Sequence, residues 1–363
     1  MINLLIKPAS SLCNMRCKYC FYHDVAENRE IESYGIMSEE TAKTLIKRTF
    51  EYAKDEDSMI FAFQGGEPTL AGYDFFENFV NRVNALKNEN QTINYTIQTN
   101  GLLIDDKWCV FLKKHNFLVG LSLDGNREIH DMHRIDAEGR GTFDRVFQTA
   151  KSMDKYKVDY NVLSVITKSS ARKPEKFFKE YLKNRFKYIQ YIPCLTPFNY
   201  DEKDKFDLEP KQYAEFLIEN FRQWKHQLEV GNYISIRLFD NLVALLKGYP
   251  ATQCGMLGHC SMQRVIEANG DVYPCDFYVL DKYKCGNIYD MSFEDIEKSD
   301  TAKNFLKDMP LKNICRNCKV LSICGGGCKR YRDFYHEIEN YCPYQEFLYT
   351  VYNELREVAQ RLS

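Results

Sequence analysis

The chain has 363 residues, 44% of them apolar and 28% charged, with a formal net charge of −2. That balance is ordinary for a globular protein, leaves no basic surface for nucleic acid, and gives room for one large domain and a smaller one. No apolar run approaches bilayer-spanning length, and the opening MINLLIKPAS turns polar too early for a signal peptide. The expected location is therefore cytoplasmic, with neither a membrane nor a nucleic-acid partner. Fourteen cysteines in a reducing compartment point to metal ligation rather than disulfides.

In chain order, a first strand over about 2–8 leads into Cys13, Cys17 and Cys20, spaced Cys-x3-Cys-x2-Cys with Tyr19 before the last. Three thiolates at that spacing can hold three corners of a four-iron cluster. The next cysteine is Cys109, so one iron keeps an open position, whereas centres that only carry electrons normally take four cysteines. The other readings are three structural thiols or a zinc site, which has only His23 nearby as a fourth ligand.

β-branched and aromatic runs predict further strands at 58–63, 93–98, 117–123, 159–166 and 187–193. Helical patterns fall between them, near 38–55, 73–88, 106–115, 143–156 and 173–184, with Ser38 and Asp105 at two of the starts. Strands separated by such helices make βαβ units and a parallel sheet. Six units are too few to close an eight-stranded barrel, so the expected class is α/β with a partial (β/α)6 barrel.

Polar and glycine-rich segments follow each strand, where parallel sheets place their active sites. They are the cysteine loop, Gln64–Thr69, Gln98–Gly101, Asp124–Gly125, Thr167 and Cys194–Leu195. In FQGGEPTL, Gly65 and Gly66 let backbone approach a ligand closely, and Glu67 can accept a hydrogen bond from an ammonium group. A tight turn would use the same residues.

The linker is expected at 236–253, where a short helix ends at KGYPATQ, after a barrel spanning 1–235. A cysteine-rich region over 254–342 then carries Cys254-x5-Cys260-x14-Cys275 and Cys315-x2-Cys318-x5-Cys324-x3-Cys328, with Cys342 last. Asn269–Gly270 signals a two-residue hairpin turn that carries Cys275 back along the chain. Eight thiolates suffice for two four-iron clusters. The alternative is a zinc ribbon, with His259 as an extra ligand. A last helix over about 343–362, in a C-terminal segment 343–363, reads as core packing.

CNMRCKYC resembles the signature of the radical S-adenosylmethionine (SAM) superfamily, and the cysteine-rich third resembles the SPASM extension of enzymes that act on peptides. Along nearly its whole length the chain is similar to the anaerobic sulfatase-maturating enzymes, through LLIKPASS, CKYCFYH, FAFQGGEPTLAG, QTNGLLID, SIRLFD, VYPCDFYVLDKY and CGGGCKR. The resemblance implies three [4Fe–4S] clusters: Cys13, Cys17 and Cys20 at the first, Cys254, Cys260, Cys275 and Cys328 at the second, Cys315, Cys318, Cys324 and Cys342 at the third. It implies SAM contacts from Tyr19, Gly65, Gly66, Glu67, Thr99, Asn100, Ser122, Arg134 and Leu195, and peptide contacts from Tyr22, Gln64 and Arg237. Arg134 suits a carboxylate by its planar fork, and otherwise reads as an exposed loop arginine.

The reaction implied is oxidation of a cysteine or serine in an unfolded sulfatase segment to Cα-formylglycine, with Asp276 as base. Asp276 also reads as a cap on the turn after the hairpin, and Arg237, placed by alternation on a strand, as a partner for Asp240. The expected reductant is a low-potential flavodoxin or ferredoxin. A maturase of ribosomally made peptides would share the same ligands, but such proteins often carry a leader-binding domain, which this chain is expected to lack.

Overall fold

The computed structural model describes residues 1–55, 57–198, 208–307 and 310–362. In chain order the strands are β1 (Ile2–Ile6), β2 (Ser58–Phe63), β3 (Thr92–Thr99), β4 (Phe117–Ser122), β5 (Asp159–Ile166), β6 (Tyr188–Pro193), β7 (Ser235–Ile236), β8 (Val265–Ile266), β9 (Asp271–Tyr273) and β10 (Gly286–Asn287). Helices separate β1 to β6 as the alternation requires. The fold class is the expected one, an open series of βα units followed by a cysteine-rich region.

The chain forms two compact units. The first comprises Met1–Ser122, Arg134–Tyr160 and Ser261–Lys307; the second comprises Leu123–His133, Asn161–Cys260 and Asp308–Ser363. In the first unit the strand order is β10-β9-β8-β1-β2-β3-β4. β1 to β4 pair in parallel, with Ile2 opposite Met59 and Met59 opposite Ile93. Alternation sends Leu4, Ile6, Met59, Phe61 and Phe63 into the interior. There Phe61 and Phe63 meet Phe79 edge-on, with ring centroids 5.3 and 5.1 Å away. Each such fully buried side chain contributes about 1.5–3 kcal/mol. Ser38 and Asp105 cap the following helices, accepting hydrogen bonds from the Thr41 and Trp108 N–H groups at 3.0 and 2.9 Å.

The cysteine-rich region contributes β8 and β9 as a hairpin, and β8 pairs in parallel with β1, Leu5 opposite Val265. The loop is longer than expected. Glu267 N–H donates to the Asp271 carbonyl and Gly270 N–H to the Glu267 carbonyl, both at 2.9 Å. This leaves three residues in the turn, with Gly270 at φ +87°, the form in which a left-handed glycine closes a type I turn.

In the second unit β5, β6 and β7 run parallel. Helix Pro210–Glu229, for which the sequence offered no expectation, buries Tyr213, Phe216, Leu217, Phe221 and Trp224 along one face. The stretch expected as a linker carries helix Arg237–Leu246, just before KGYPATQ, with Leu238, Phe239 and Leu242 buried. The C-terminal helix Pro343–Arg361 is core packing, as expected, and inserts Phe347, 6.2 Å from Phe221 and 6.0 Å from Phe239.

Candidate active site

In the first unit the loop after β1 carries Cys13, Cys17 and Cys20. Cys20 immediately precedes helix Phe21–Glu27, and its N–H donates to the Cys17 carbonyl at 3.1 Å. Cys13 Sγ accepts from the Met15 N–H at 3.4 Å and from Asn100 Nδ2 at 3.8 Å. Burial pushes the Cys13 thiol up to about 11, and the charges of Glu67 and Cys20 act in the same direction. Such a thiol becomes a thiolate when a metal replaces its proton. His23, the local alternative ligand, lies exposed on that helix, 3.7 Å from Glu27.

Arg134 is buried, at 7% exposure, rather than solvated on a loop. Its Nη1 lies 3.9 Å from Cys17 Sγ and its guanidinium 5.4 Å from the centre of the Tyr19 ring. Asn100 Nδ2 also donates to Asn14 Oδ1 at 2.8 Å, tying the end of β3 to the cysteine loop. Thr99, Asn100 and Ser122 stand at or beyond the carboxyl ends of β3 and β4, all buried.

The Gly65–Gly66 loop lies against the same segment. Gly66 N–H donates to the Ser10 carbonyl at 2.8 Å and Glu67 N–H to the Leu12 carbonyl at 2.7 Å. A methyl group at Gly66 would lie 2.1 Å from the Leu12 oxygen, so glycine is required by the approach itself. The Glu67 carboxylate turns inward. Its Oε1 accepts from Thr69 N–H, Thr69 Oγ1 and Thr99 Oγ1, at 3.1, 2.6 and 2.7 Å, and its Oε2 from Asn100 N–H at 2.7 Å. Burial pushes this carboxyl up while those bonds pull it down. Glu67 therefore both starts the expected turn, Pro68–Ala71, and welds it to β3.

Asp276 follows β9, and both its oxygens point into the first unit. Oδ1 accepts from Lys7 Nζ at 2.5 Å and Oδ2 from Gln64 Nε2 at 2.6 Å. Its side chain is therefore not a turn cap. Tyr22 is 2% exposed, and its phenol donates to Glu267 Oε2 at 2.7 Å. Burial and the Glu267 charge push that phenol well above its usual range. Sequence reasoning missed Lys7. The signal was its place, one residue past an apolar strand, at the end where such sheets gather their chemistry.

In the second unit the charges of Cys342, Cys318 and Cys315 all act on Cys324. Burial is the first cause raising it to about 11, and it also raises Cys315 and Cys342. His336, also missed, sets Nε2 3.6 Å from Cys315 Sγ. Cys254 and Cys260 act on Cys328 in the same way. A methyl group at Gly255 would meet Cys328 Cβ at 3.3 Å. His259 is exposed. Cys275 belongs to the first unit. These all-thiol sets suit iron–sulfur clusters, the chemistry of soft sulfur donors.

Leu195, half-buried, follows β6 in the second unit. Arg237, also there, is not on a strand: β7 stops at Ile236 and Arg237 opens the next helix. It donates to Gln190 Oε1 at 3.1 Å and to the Thr252 carbonyl at 3.0 Å, while Asp240 accepts from Ser235. The anticipated Arg237–Asp240 pair is thus replaced by two separate contacts.

Residues 8–179 match the family model of the radical SAM superfamily and residues 254–319 that of an iron–sulfur cluster-binding domain. The chain is 44% identical to a cysteine-type anaerobic sulfatase-maturating enzyme of Clostridium novyi, over 92% of this chain and 89% of that one. It is 28% identical to a serine-type anaerobic sulfatase-maturating enzyme of Bacteroides thetaiotaomicron, over 95% and 90% of the two chains. Among solved structures, native anSMEcpe with bound AdoMet and Cp18Cys peptide superposes with a TM-score of 0.92, at 41% identity over 100% of this chain and 99% of that one.

Proposed function

Because this chain belongs to the anaerobic sulfatase-maturating enzymes, a family of radical SAM oxidoreductases, we propose that it oxidises one cysteine of an unfolded sulfatase segment to Cα-formylglycine. The choice of cysteine over serine follows the higher identity to the cysteine-type relative. The observation that carries the reading is Asp276, next to cluster ligand Cys275 and held on both oxygens by Lys7 and Gln64. When bound, SAM and three [4Fe–4S] clusters supply a 5′-deoxyadenosyl radical to remove hydrogen from the target Cβ and an acceptor for the second electron.

The protein's own residues do the rest. Cys13, Cys17 and Cys20 hold the first cluster; Cys254, Cys260, Cys275 and Cys328 the second; Cys315, Cys318, Cys324 and Cys342 the third. Gly65, Gly66 and Glu67 would meet the SAM amino acid moiety, and Arg134 would neutralise the SAM carboxylate. Tyr19, Thr99, Asn100, Ser122 and Leu195 complete the contacts. Arg237 holds the extended peptide. Asp276 takes the thiol proton as the carbon loses its electron, leaving a thioaldehyde. Water then replaces its sulfur, which departs as hydrogen sulfide. A low-potential flavodoxin or ferredoxin supplies the electron that opens the cycle.

The test is anaerobic incubation with SAM, dithionite and a peptide carrying Cys-x-Pro-x-Arg, followed by mass spectrometry. Aldehyde and 5′-deoxyadenosine should appear together. SAM cleavage that yields a thioether, a cross-link or an epimer in place of the aldehyde would assign the chain to peptide maturation instead.

A further inference from the structure

Lys7 lies fully buried one residue past β1, and its ammonium ends on Asp276 Oδ1 at 2.5 Å. The same ammonium sits 3.8 Å from the centre of the Tyr22 ring. Tyr22 is fixed by its bond to Glu267, whose carboxylate also takes the Arg29 guanidinium at 2.7 Å with both side chains fully buried. The Lys7 stem runs under the SAM-type loop, where a methyl group at Gly65 would come within 3.2 Å of Lys7 Cγ. A desolvated ammonium is retained only where a carboxylate compensates it. Asp276, by contrast, keeps 13% of its side chain open.

We propose that Lys7 is a positioning residue for the oxidation step. It clamps Oδ1 of Asp276 from below and turns Oδ2, the oxygen that Gln64 holds at 2.6 Å, toward the target thiol. Gln64, only half-buried, is the replaceable donor. The Lys7 clamp stays in place because it has no water to turn to. This inference rests on the thiol oxidation proposed above.

The test compares Lys7→Met, which keeps the apolar stem, and Lys7→Arg, which keeps the charge, with Asp276→Asn and the double variant. Lys7→Met should form 5′-deoxyadenosine within about twofold of wild type while aldehyde per cleavage falls about tenfold or more. Lys7→Arg should recover part of that loss. The double variant should be no worse than Asp276→Asn alone, since residues acting as one unit do not add. Thermal unfolding supplies a readout free of turnover. Asp276→Asn should lower Tm by stranding the ammonium, and Lys7→Met in that background should raise it again. A wild-type ratio of aldehyde to 5′-deoxyadenosine in Lys7→Met, or losses that multiply, would overturn the role. So would Tm changes that simply add. If the wild type makes no aldehyde at all, the functional reading falls, and the thermal cycle alone decides whether Lys7 holds Asp276.

Discussion

Asp276 and Asn differ by one group, an oxygen acceptor against an amide donor, so Asp276→Asn isolates the proton acceptor while keeping shape. SAM cleavage should persist, and aldehyde formation should drop about 100- to 10,000-fold, the usual contribution of a general base. Mass spectra showing wild-type aldehyde would remove the assignment. Asp276 stood out in the sequence because it directly follows Cys275. Lys7 did not, because a single lysine after an apolar strand reads as a solvated end until the segment carrying its partner, 269 residues on, is placed. Tyr22 is buried for a local reason. It shares the buried face of its short helix with Val25 and Ala26, at the three- and four-residue spacing that marks an interior stripe.

Helix Arg237–Leu246 carries an acidic residue in its first turn, Asp240, and burial lifts that carboxyl from 3.8 to about 6, partly offset by the Ser235 hydroxyl. The folded chain thus binds this proton more tightly than the unfolded chain. Stability contributed here is highest at low pH and declines as pH rises from about 4 to about 6. Asp240→Asn, which can still accept from Ser235, should flatten that slope and raise stability at pH 7 by at most about 2–3 kcal/mol. Anaerobic thermal unfolding at pH 5 and pH 7.5 would measure it; an unchanged difference between the two would refute it. Helix Pro343–Arg361 presses a fully buried Leu355 into the second unit. Leu355→Ala should cost about 2–5 kcal/mol through the void it leaves, read from urea midpoints. The C-terminal helix was legible from its apolar spacing. Helix Pro210–Glu229 has the same spacing, but Asn220 interrupts the stripe; it is buried and bonded to Tyr191 at 2.9 Å, so its polarity is satisfied inside. The hairpin was legible and its loop length was not, because Asn-Gly fits a two-residue turn as well as the end of a three-residue one.

At the scale of the molecule, the ligand groups should be separable by metal content. Anaerobically prepared protein should hold about twelve irons, and each cluster lost should remove about four. Replacing Cys13, Cys17 and Cys20 with alanine should abolish SAM cleavage. Replacing Cys315 and Cys318 should spare cleavage and lower aldehyde yield. Zinc in place of iron, or a colourless protein, would contradict both expectations. The cysteine-rich character of the two regions was legible, since cysteine spacing is local. The assignment of the hairpin was not: its pairing with β1 joins the third of the sequence richest in cysteine to the first strand, a long-range choice that no window of residues encodes. That pairing also sets a timetable. A ribosome adding about 5–20 residues per second needs roughly 13–54 s to travel from Lys7 to Asp276. During that wait the nascent N-terminal strand has a bare flank and its lysine no counter-ion, so the earliest part of the chain to be made is among the last to be finished.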